Sequence, residues 1–232
     1  MLDEYTVSSS SLVGERKVWT LRDRSQVADS VCIFLDAELY LDRVKALDMI
    51  VQLQTEDLIR PMTFAFLSYG SAAERHRDFT CSELFTEFLI SEFLPWFENN
   101  IHVYHCVYVC GLSLSGLAAL FALSKHPTRF AGILSQSPSA WWNGEWLATH
   151  CHFAGVESTP VWLSVGKEEV EQNVTHGPTG LYQGVSQLES CRRLNLSLES
   201  AGVMVHYSEF PGGHDPACWA SELPTALMWL LA

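Results

Sequence analysis

Residues 107–120 read Val-Tyr-Val-Cys-Gly-Leu-Ser-Leu-Ser-Gly-Leu-Ala-Ala-Leu, and they combine two secondary-structure signals around one turn. The first apolar run has the composition of a buried strand, and the last has the spacing of a helix. A serine among small residues lies between them. This is the arrangement of a nucleophile elbow, a sharp strand-to-helix turn that exposes a reactive serine. The stretch therefore predicts an α/β fold with a candidate nucleophile at the end of a central strand.

Two serines of this turn compete for the nucleophile position. Strand and helix pass so closely at an elbow that the residues two before and two after the nucleophile must be small. For Ser113 these residues are Gly111 and Ser115, whereas for Ser115 one of them would be Leu117, which would collide with the strand. Ser113 is therefore the predicted nucleophile. Because Ser115 replaces the last glycine of Gly-x-Ser-x-Gly and Gly116 follows it, a turn without chemistry is the alternative interpretation.

Outward from the elbow, short β-type runs alternate with helical patterns, which is typical of a mainly parallel sheet with crossover helices. Most of the strands are continuous apolar runs, as expected where helices cover both faces of the sheet. We predict central strands at residues 31–35, 63–68, 103–110, 132–135, 161–165 and 203–210, and an N-terminal antiparallel hairpin from 5–9 and 16–21. Helices are predicted at 44–54, 83–99, 116–126, 182–201 and 223–231. Residues 1–232 are expected to form a single domain.

The composition excludes several classes of protein. With 48% hydrophobic and 18% charged residues, the chain is too apolar to be disordered. The 27 acidic residues against 14 basic ones give a formal net charge of −13, which would repel nucleic acid and anionic membranes. No run approaches about 18 consecutive apolar residues, so no membrane insertion is expected. The acidic N-terminus and seven scattered cysteines indicate a cytoplasmic protein.

The predicted general base is His214, in the loop Pro-Gly-Gly-His-Asp after the last strand. Chains of the α/β-hydrolase type carry serine, acid and histidine in that order, with the histidine in this place. The acid is expected in the turn after the preceding strand, where Glu168, Glu169 and Glu171 are available. The residues leave this choice open, and a solvated charged turn is the alternative. Asp215 is expected to hold the histidine loop by hydrogen bonds.

Two backbone amides are predicted to stabilise an oxyanion. One is the amide of Leu114, which follows the candidate nucleophile at the start of a helix. The second donor is expected just after an early central strand, where Ala37 and Glu38 follow Asp36. The candidate is the amide of Ala37 or that of Glu38. An ordinary strand end with an acid at the start of a helix is the alternative for this segment.

Four segments together resemble the enterochelin (enterobactin) esterase branch of the α/β-hydrolases. Leu-Asp-Ala at 35–37 is similar to the family's Leu-Asp-Gly, and residues 111–116 are similar to its Gly-x-Ser-x-Gly-Gly elbow. Ser-Gln-Ser-Pro-Ser-Ala-Trp-Trp at 135–142 resembles a third family segment, and Gly-Gly-His-Asp at 212–215 with Cys-Trp at 218–219 matches a fourth. The similarity covers nearly the whole chain. It implies an α/β-hydrolase fold with a mainly parallel sheet and helices on both faces.

The resemblance also implies a function and further site residues. It implies a serine esterase for a catecholate siderophore in its ferric form, with Glu169 as the acid and Glu168 as the second choice. A Ser–His pair alone suffices in some esterases of this kind. No cofactor is implied, since iron would arrive with the substrate. Arg75 is implied at the mouth of the site, and Trp141 and Trp142 beneath an aromatic acyl group, with a surface charge and core packing as the respective alternatives.

One objection to this substrate and two other interpretations of the sequence remain. The net charge argues against a ferric catecholate, because that ligand is strongly anionic. An esterase or acyltransferase for a feruloyl, acetyl or thiol ester such as S-formylglutathione is one alternative, and fold analogy does not separate these substrates. A non-catalytic hydrolase-fold protein that binds a ligand is the alternative from a different class.

Overall fold

The computed structural model of the chain describes residues 2–22, 28–177 and 179–231. The strands are β1 (Asp3–Ser8), β2 (Glu15–Leu21), β3 (Ser30–Leu35), β4 (Thr63–Leu67), β5 (Cys106–Leu112), β6 (Gly132–Gln136), β7 (Pro160–Gly166), β8 (Val174–His176), β9 (Leu181–Gln183) and β10 (Met204–Phe210). The helices are α1 (Ala37–Leu39), α2 (Ala46–Thr55), α3 (Ala72–Phe79), α4 (Glu83–Glu87), α5 (Leu94–Asn100), α6 (Leu114–Lys125), α7 (Trp142–His150), α8 (Gln187–Ser200) and α9 (Pro216–Leu231), with π-helical turns at Tyr40–Val44 and Phe88–Phe93.

Eight strands form one sheet in the order β1-β2-β4-β3-β5-β6-β7-β10. All pairs from β4 to β10 are parallel, whereas β2 pairs antiparallel with both β1 and β4. The short strands β8 and β9 form a separate antiparallel hairpin. The prediction of an α/β fold with a mainly parallel sheet and an antiparallel N-terminal hairpin is therefore confirmed. No helix in the described ranges is long and apolar enough to cross a membrane.

The apolar runs form central strands because helices cover both faces of the sheet. Every residue of β3, β4 and β6 is buried. Side chains of a strand alternate between faces, so Ile33 packs into one apolar cluster and Phe34 into the other. Residues of α3 to α8 complete the first cluster, and residues of α1, α2 and α9 complete the second. Because the central strands are parallel, their carboxyl ends lie along the same side of the sheet, where the loops that follow them can meet.

Several predicted boundaries are corrected by the structure. The strand predicted at 103–110 begins at Cys106, because Val103 is 62% exposed and lies outside the sheet. The helix predicted at 182–201 begins at Gln187, since β9 takes up its first residues. The last helix begins at Pro216 rather than at 223 and contains Pro224 in its interior. Helices α3 and α7 and the hairpin of β8 and β9 are not among the predicted elements.

Candidate active site

The turn between β5 and α6 holds Ser113 in an unusual backbone conformation, with φ 54° and ψ −121°. Residues other than glycine rarely adopt positive φ, and such strain is concentrated at functional sites. A Cβ on Gly111 would lie 2.2 Å from the carbonyl oxygen of Ser115, so a larger residue does not fit there. The strand and the helix therefore approach each other as closely as an elbow requires.

Ser115, which replaces a glycine of the usual pattern, stabilises this turn with its hydroxyl. The hydroxyl donates to the carbonyl of Leu112 at 2.8 Å and accepts from the amide of the same residue at 2.9 Å. Ser115 is fully buried, so its hydroxyl is not accessible from the cavity. The close contact with the next strand falls on Gly116, where a Cβ would lie 2.8 Å from the Ser135 hydroxyl.

Three of the predicted residues form a continuous line of hydrogen bonds. Nε2 of His214 lies 3.0 Å from Oγ of Ser113, and Nδ1 lies 2.7 Å from Oε2 of Glu169. They come from the loops after β10, β5 and β7, which end at the same edge of the sheet. Asp215 does not join this line, because its carboxylate accepts from the amide of Ala217 at 2.8 Å at the start of α9. Serine, histidine and carboxylate are thus arranged as in a catalytic triad.

The two neighbouring glutamates of the β7 loop have opposite surroundings. The side chain of Glu169 is 2% exposed, and its second oxygen accepts from the Ser137 hydroxyl at 2.6 Å and the Gly166 amide at 2.7 Å. Glu168 is exposed, and its backbone forms its hydrogen bonds: the amide donates to the carbonyl of Gly212, and the carbonyl accepts from the amide of Val170. The choice that the sequence leaves open therefore has a geometric answer: Glu169 is the carboxylate that contacts His214.

Two residues that the sequence did not single out support this line. Nε1 of Trp219 donates to the Ser137 hydroxyl at 3.1 Å, and that hydroxyl donates onward to Glu169. The Trp219 ring also stands edge-on to the His214 ring, with centroids 4.8 Å apart and an interplanar angle of 87°. Trp219 therefore packs against the imidazole of His214 and also holds the Ser137 hydroxyl that donates to Glu169. Their positions in the 135–142 and 218–219 segments were the available signal.

Arg75 is neither an ordinary surface charge nor an unpaired one. Its Nε and Nη2 each lie 2.6 Å from an oxygen of Asp36, which is fully buried at the end of β3 with a φ of 65°. Burial works against the charge of the guanidinium, but the attraction of Asp36 outweighs it and raises the pKa of Arg75. Arg75 lines the cavity together with Ser113, yet its positive charge is already paired with the buried carboxylate of Asp36.

The predicted oxyanion donors lie at the ends of two neighbouring strands. Leu114 follows Ser113 at the first position of α6 and lines the cavity. Ala37 follows β3, is fully buried and does not itself line the cavity. The side chain of Glu38 is engaged elsewhere, because it accepts a hydrogen bond from Ser68. Since β3 and β5 are adjacent in the sheet, the residues that follow them come close together.

A cavity of about 460 Å³ opens over Ser113 and His214. Trp141 forms one wall and is 6% exposed, because its ring stacks on that of His176 at a centroid distance of 5.0 Å. The expectation for Trp142 is corrected: its ring packs edge-on to Trp146 and does not line the cavity. The hairpin of β8 and β9, which the sequence reasoning missed, supplies the outer wall with His176, Gly177, Thr179, Leu181 and Gln183.

Metal ligands are not grouped anywhere in the part of the chain that the structure describes, since no three His, Cys, Asp or Glu residues there could hold a metal ion together. All seven cysteines are free. Two of them, Cys32 and Cys110, face each other across β3 and β5 with their sulfur atoms 3.4 Å apart. Burial raises the pKa of the Cys110 thiol well above its usual range, so this thiol stays protonated.

The fold and this arrangement are those of the α/β-hydrolase esterases. Residues 9–230 match the Esterase family, described as "Putative esterase", and the chain belongs to this family.

Sequence relatives and solved structures agree with this family at low sequence identity. The Iron(III) enterobactin esterase of Dickeya dadantii is 25% identical over an alignment of 240 positions that covers 96% of this chain and 53% of that relative. The enterobactin esterase FES from Shigella flexneri, in a crystal structure in the presence of enterobactin, shares the fold with a TM-score of 0.83 at 22% identity, over 99% of this chain and 59% of that one. A ferulic acid esterase shares the fold with a TM-score of 0.78 at 16% identity, over 100% of this chain and 98% of that one. The chain thus spans about half the length of the curated relatives it matches.

Proposed function

We propose that this protein is a serine esterase, a carboxylic ester hydrolase that uses Ser113, His214 and Glu169 as its catalytic residues. The observation that carries the proposal is the unbroken line from Glu169 through His214 to Ser113, with distances of 2.7 and 3.0 Å. Membership in the Esterase family supports the same reaction class. The strained backbone at Ser113 supports it independently, because an elbow presents its serine to a cavity.

The mechanism follows from the positions of the three side chains. His214 accepts the proton of the Ser113 hydroxyl, and the serine oxygen forms a bond to the ester carbonyl carbon. The amide of Leu114 and the amide of Ala37 or Glu38 hold the negative oxygen that results. His214 then gives its proton to the departing alcohol, leaving an acyl-enzyme. A water molecule, activated by the same imidazole, releases the acid and restores the serine.

Glu169 acts through the histidine in this mechanism. Its carboxylate accepts a hydrogen bond from the Nδ1–H of His214, which directs the basic Nε2 towards Ser113 and stabilises the imidazolium that forms. The hydroxyl of Ser137 and the amide of Gly166 hold the other oxygen, so the carboxylate cannot rotate away. The buried position of Glu169 makes the interaction with the imidazolium stronger than it would be in water.

For the substrate, we propose a catecholate siderophore ester of the enterobactin type. The named relative and the four segments of sequence support this class. An aromatic ester such as a feruloyl ester is the second candidate, because the stacked rings of Trp141 and His176 line the same cavity as Ser113. We also propose a cytoplasmic location, which the seven free cysteines support, since a reducing compartment preserves thiols.

A fluorophosphonate probe combined with product analysis tests the proposal. We expect the probe to label the wild type, and the wild type to hydrolyse a 4-nitrophenyl ester and to open enterobactin, as detected by mass spectrometry. Ser113→Ala should lose labelling and both activities. Ser124→Ala is the matched control and should keep them, because Ser124 lies on the same helix, its hydroxyl donates to the carbonyl of Phe121, and it does not line the cavity. Labelling that persists in Ser113→Ala, or a wild type that cleaves no ester, would contradict the proposal.

A further inference from the structure

The charges around the cavity differ from what an anionic substrate requires. One guanidinium, Arg75, and three carboxylates, Glu168, Glu169 and Glu171, line it. The charge of Arg75 is already met by both oxygens of Asp36, which lies fully buried beneath it. No uncompensated cationic side chain is therefore left among the lining residues that the structure describes.

Unlike Arg75, the two carboxylates at the outer side of the cavity, Glu168 and Glu171, have no partner of opposite charge in the ranges that the structure describes. Glu169 is occupied by His214, but Glu168 and Glu171 are exposed, and neither forms an ion pair within residues 2–22, 28–177 and 179–231. They face the same space as the nucleophile. Negative charges in a cleft with low-dielectric walls raise the free energy of a bound anion and lower that of a bound cation.

The backbone holds these carboxylates at the mouth of the cavity. The amide of Glu168 donates to the carbonyl of Gly212 at 2.9 Å, which ties it to the loop that carries the catalytic histidine. The carbonyl of Glu171 accepts from Nε2 of Gln183 at 2.8 Å, which ties it to the hairpin of β8 and β9. Their backbone positions are therefore part of the site, although their side chains reach solvent.

We infer that the cavity selects carboxylic esters that carry no net negative charge, with Glu168 and Glu171 as the specificity-determining residues. Among catecholate siderophores this selects the iron-free form, because its phenolic groups stay protonated near neutral pH, whereas the ferric complex is a polyanion. The inference rests on the proposed function, since it concerns the substrate of the same serine. It departs from the ferric substrate that the resemblance implies.

A charge series of esters tests this inference. Three 4-nitrophenyl esters of matched length are compared at low ionic strength: the pentanoate, the 4-(trimethylammonio)butanoate and the mono-ester of glutaric acid. We expect kcat/KM for the cationic ester to exceed that for the anionic one by about 10-fold or more, and added salt to narrow the ratio. Glu168→Gln/Glu171→Gln should reduce this ratio by about 10-fold. The double variant Glu87→Gln/Glu98→Gln, which removes the same charge outside the cavity, should leave it unchanged.

A second measurement compares iron-free and ferric enterobactin by chromatography with mass detection. We expect the iron-free form to be opened at least about 10-fold faster by the wild type. Equal or faster cleavage of the ferric form, or a cation-to-anion ratio that the cavity variant does not change, would overturn the inference while the esterase proposal stands. Loss of fluorophosphonate labelling and of activity on all three esters would instead overturn the proposed function. The two failures are therefore distinguishable.

Discussion

Glu169 acquires its place in the site from packing rather than from its chemistry, which it shares with Glu168. The backbone turn after β7 directs one side chain under His214 and the next to solvent. Inside, Glu169 accepts three hydrogen bonds, from His214, Ser137 and the amide of Gly166. These three donors hold both carboxylate oxygens in place, so the oxygen that contacts Nδ1 stays aligned with the imidazole.

We predict that Glu169→Gln lowers kcat/KM by a factor of about 10² to 10⁴, because the amide cannot accept from all three donors and mis-orients the imidazole. Glu168→Gln should lower it on a neutral ester by less than about 3-fold. Rapid-mixing measurement of the acylation rate with a 4-nitrophenyl ester compares the two. The reverse pattern would show that Glu168 is the acid.

Ser137 is predicted to act as a positioning residue. Removing its hydroxyl leaves Glu169 without one donor and the indole N–H of Trp219 without its acceptor, so Ser137→Ala should lower kcat about 10-fold with little change in KM. Ser137 has a φ of 43°, which glycine tolerates better than alanine. Ser137→Gly should therefore be more stable than Ser137→Ala in urea but equally slow. Recovery of activity in Ser137→Gly would show that the role of Ser137 is only structural.

The sequence indicates some of these residues and not others for physical reasons. Ser113 and His214 lie in segments whose glycines restrict which residue can face the cavity, so local spacing is informative. The choice between Glu168 and Glu169 depends on which side of one turn faces the core, and two adjacent glutamates carry no signal for that. His176 lies on a strand of three residues, which is too short for a period-two pattern to be recognised.

The elbow shows how two elements constrain a single residue. Because α6 begins immediately after Ser113, its first turn lies against β5, and Gly111 has backbone rather than a flexible side chain opposite its missing Cβ. The conflict cannot be relieved by a rotamer change. The positive-φ conformation of Ser113 is thus maintained by the contact between the strand and the helix.

We predict that Gly111→Ala lowers the free energy of unfolding by more than about 2 kcal/mol, since its Cβ would lie 2.2 Å from the Ser115 carbonyl oxygen. The midpoint of urea unfolding measures the effect. Gly177→Ala is the control for stability, because a Cβ at that position meets nothing within 4 Å. Equal midpoints for the two variants would show that the elbow can open without cost.

The π-helical turn Phe88–Phe93 holds the loop between β1 and β2 through Glu92, which accepts from the amides and hydroxyls of Ser10 and Ser11. Partial burial works against the charge, but hydrogen bonds from the serines outweigh it and lower the pKa of Glu92 to about 2. A lowered folded-state pKa stabilises the fold fully above the unfolded value of 4.5. This contribution is lost as pH falls from there towards 2.

We predict that Glu92→Gln costs about 1 kcal/mol at pH 7, an amount discounted because this carboxylate is partly solvated. Urea midpoints of wild type and variant should converge between about pH 4.5 and pH 2, where the wild-type carboxylate takes up its proton. Glu87→Gln, on the neighbouring helix, is the control. A difference that stays constant over this pH range would contradict the assignment of the stabilisation to the charged form of Glu92.

Across the molecule, the burial of each element explains why the sequence predicts some strands and helices and not others. The alternation of apolar runs and helical patterns predicts the parallel core, because burial on both faces leaves a strong compositional signal. Helix α3, with the sequence Ala-Ala-Glu-Arg-His-Arg-Asp-Phe, buries only its last two residues and carries no apolar stripe. Tertiary ion pairs of Arg16 with Glu74 and Asp78 attach it to the rest of the fold, and local sequence patterns do not contain these contacts.

The excess of acidic residues gives a prediction for the whole chain. Because 27 acidic side chains repel one another against only 14 basic ones, screening should stabilise the folded state. We expect Tm to rise by a few degrees between about 10 mM and 200 mM NaCl at pH 7. The same experiment at pH 5, near the sequence isoelectric point, should show a smaller rise. A Tm that falls with salt at pH 7 would mean that attractive pairs dominate the electrostatics.

The distance along the chain between the partners in the site has a consequence for the order of events during folding. Ser113 and His214 are 101 residues apart, and His214 lies in the loop that follows β10, the strand at the end of the sheet order. On the proposed mechanism, a chain emerging from the ribosome exposes its serine long before the histidine that activates it has been synthesised. We therefore expect the nascent protein to gain reactivity towards a covalent serine probe only when the last strand docks, so that this reactivity would time the docking.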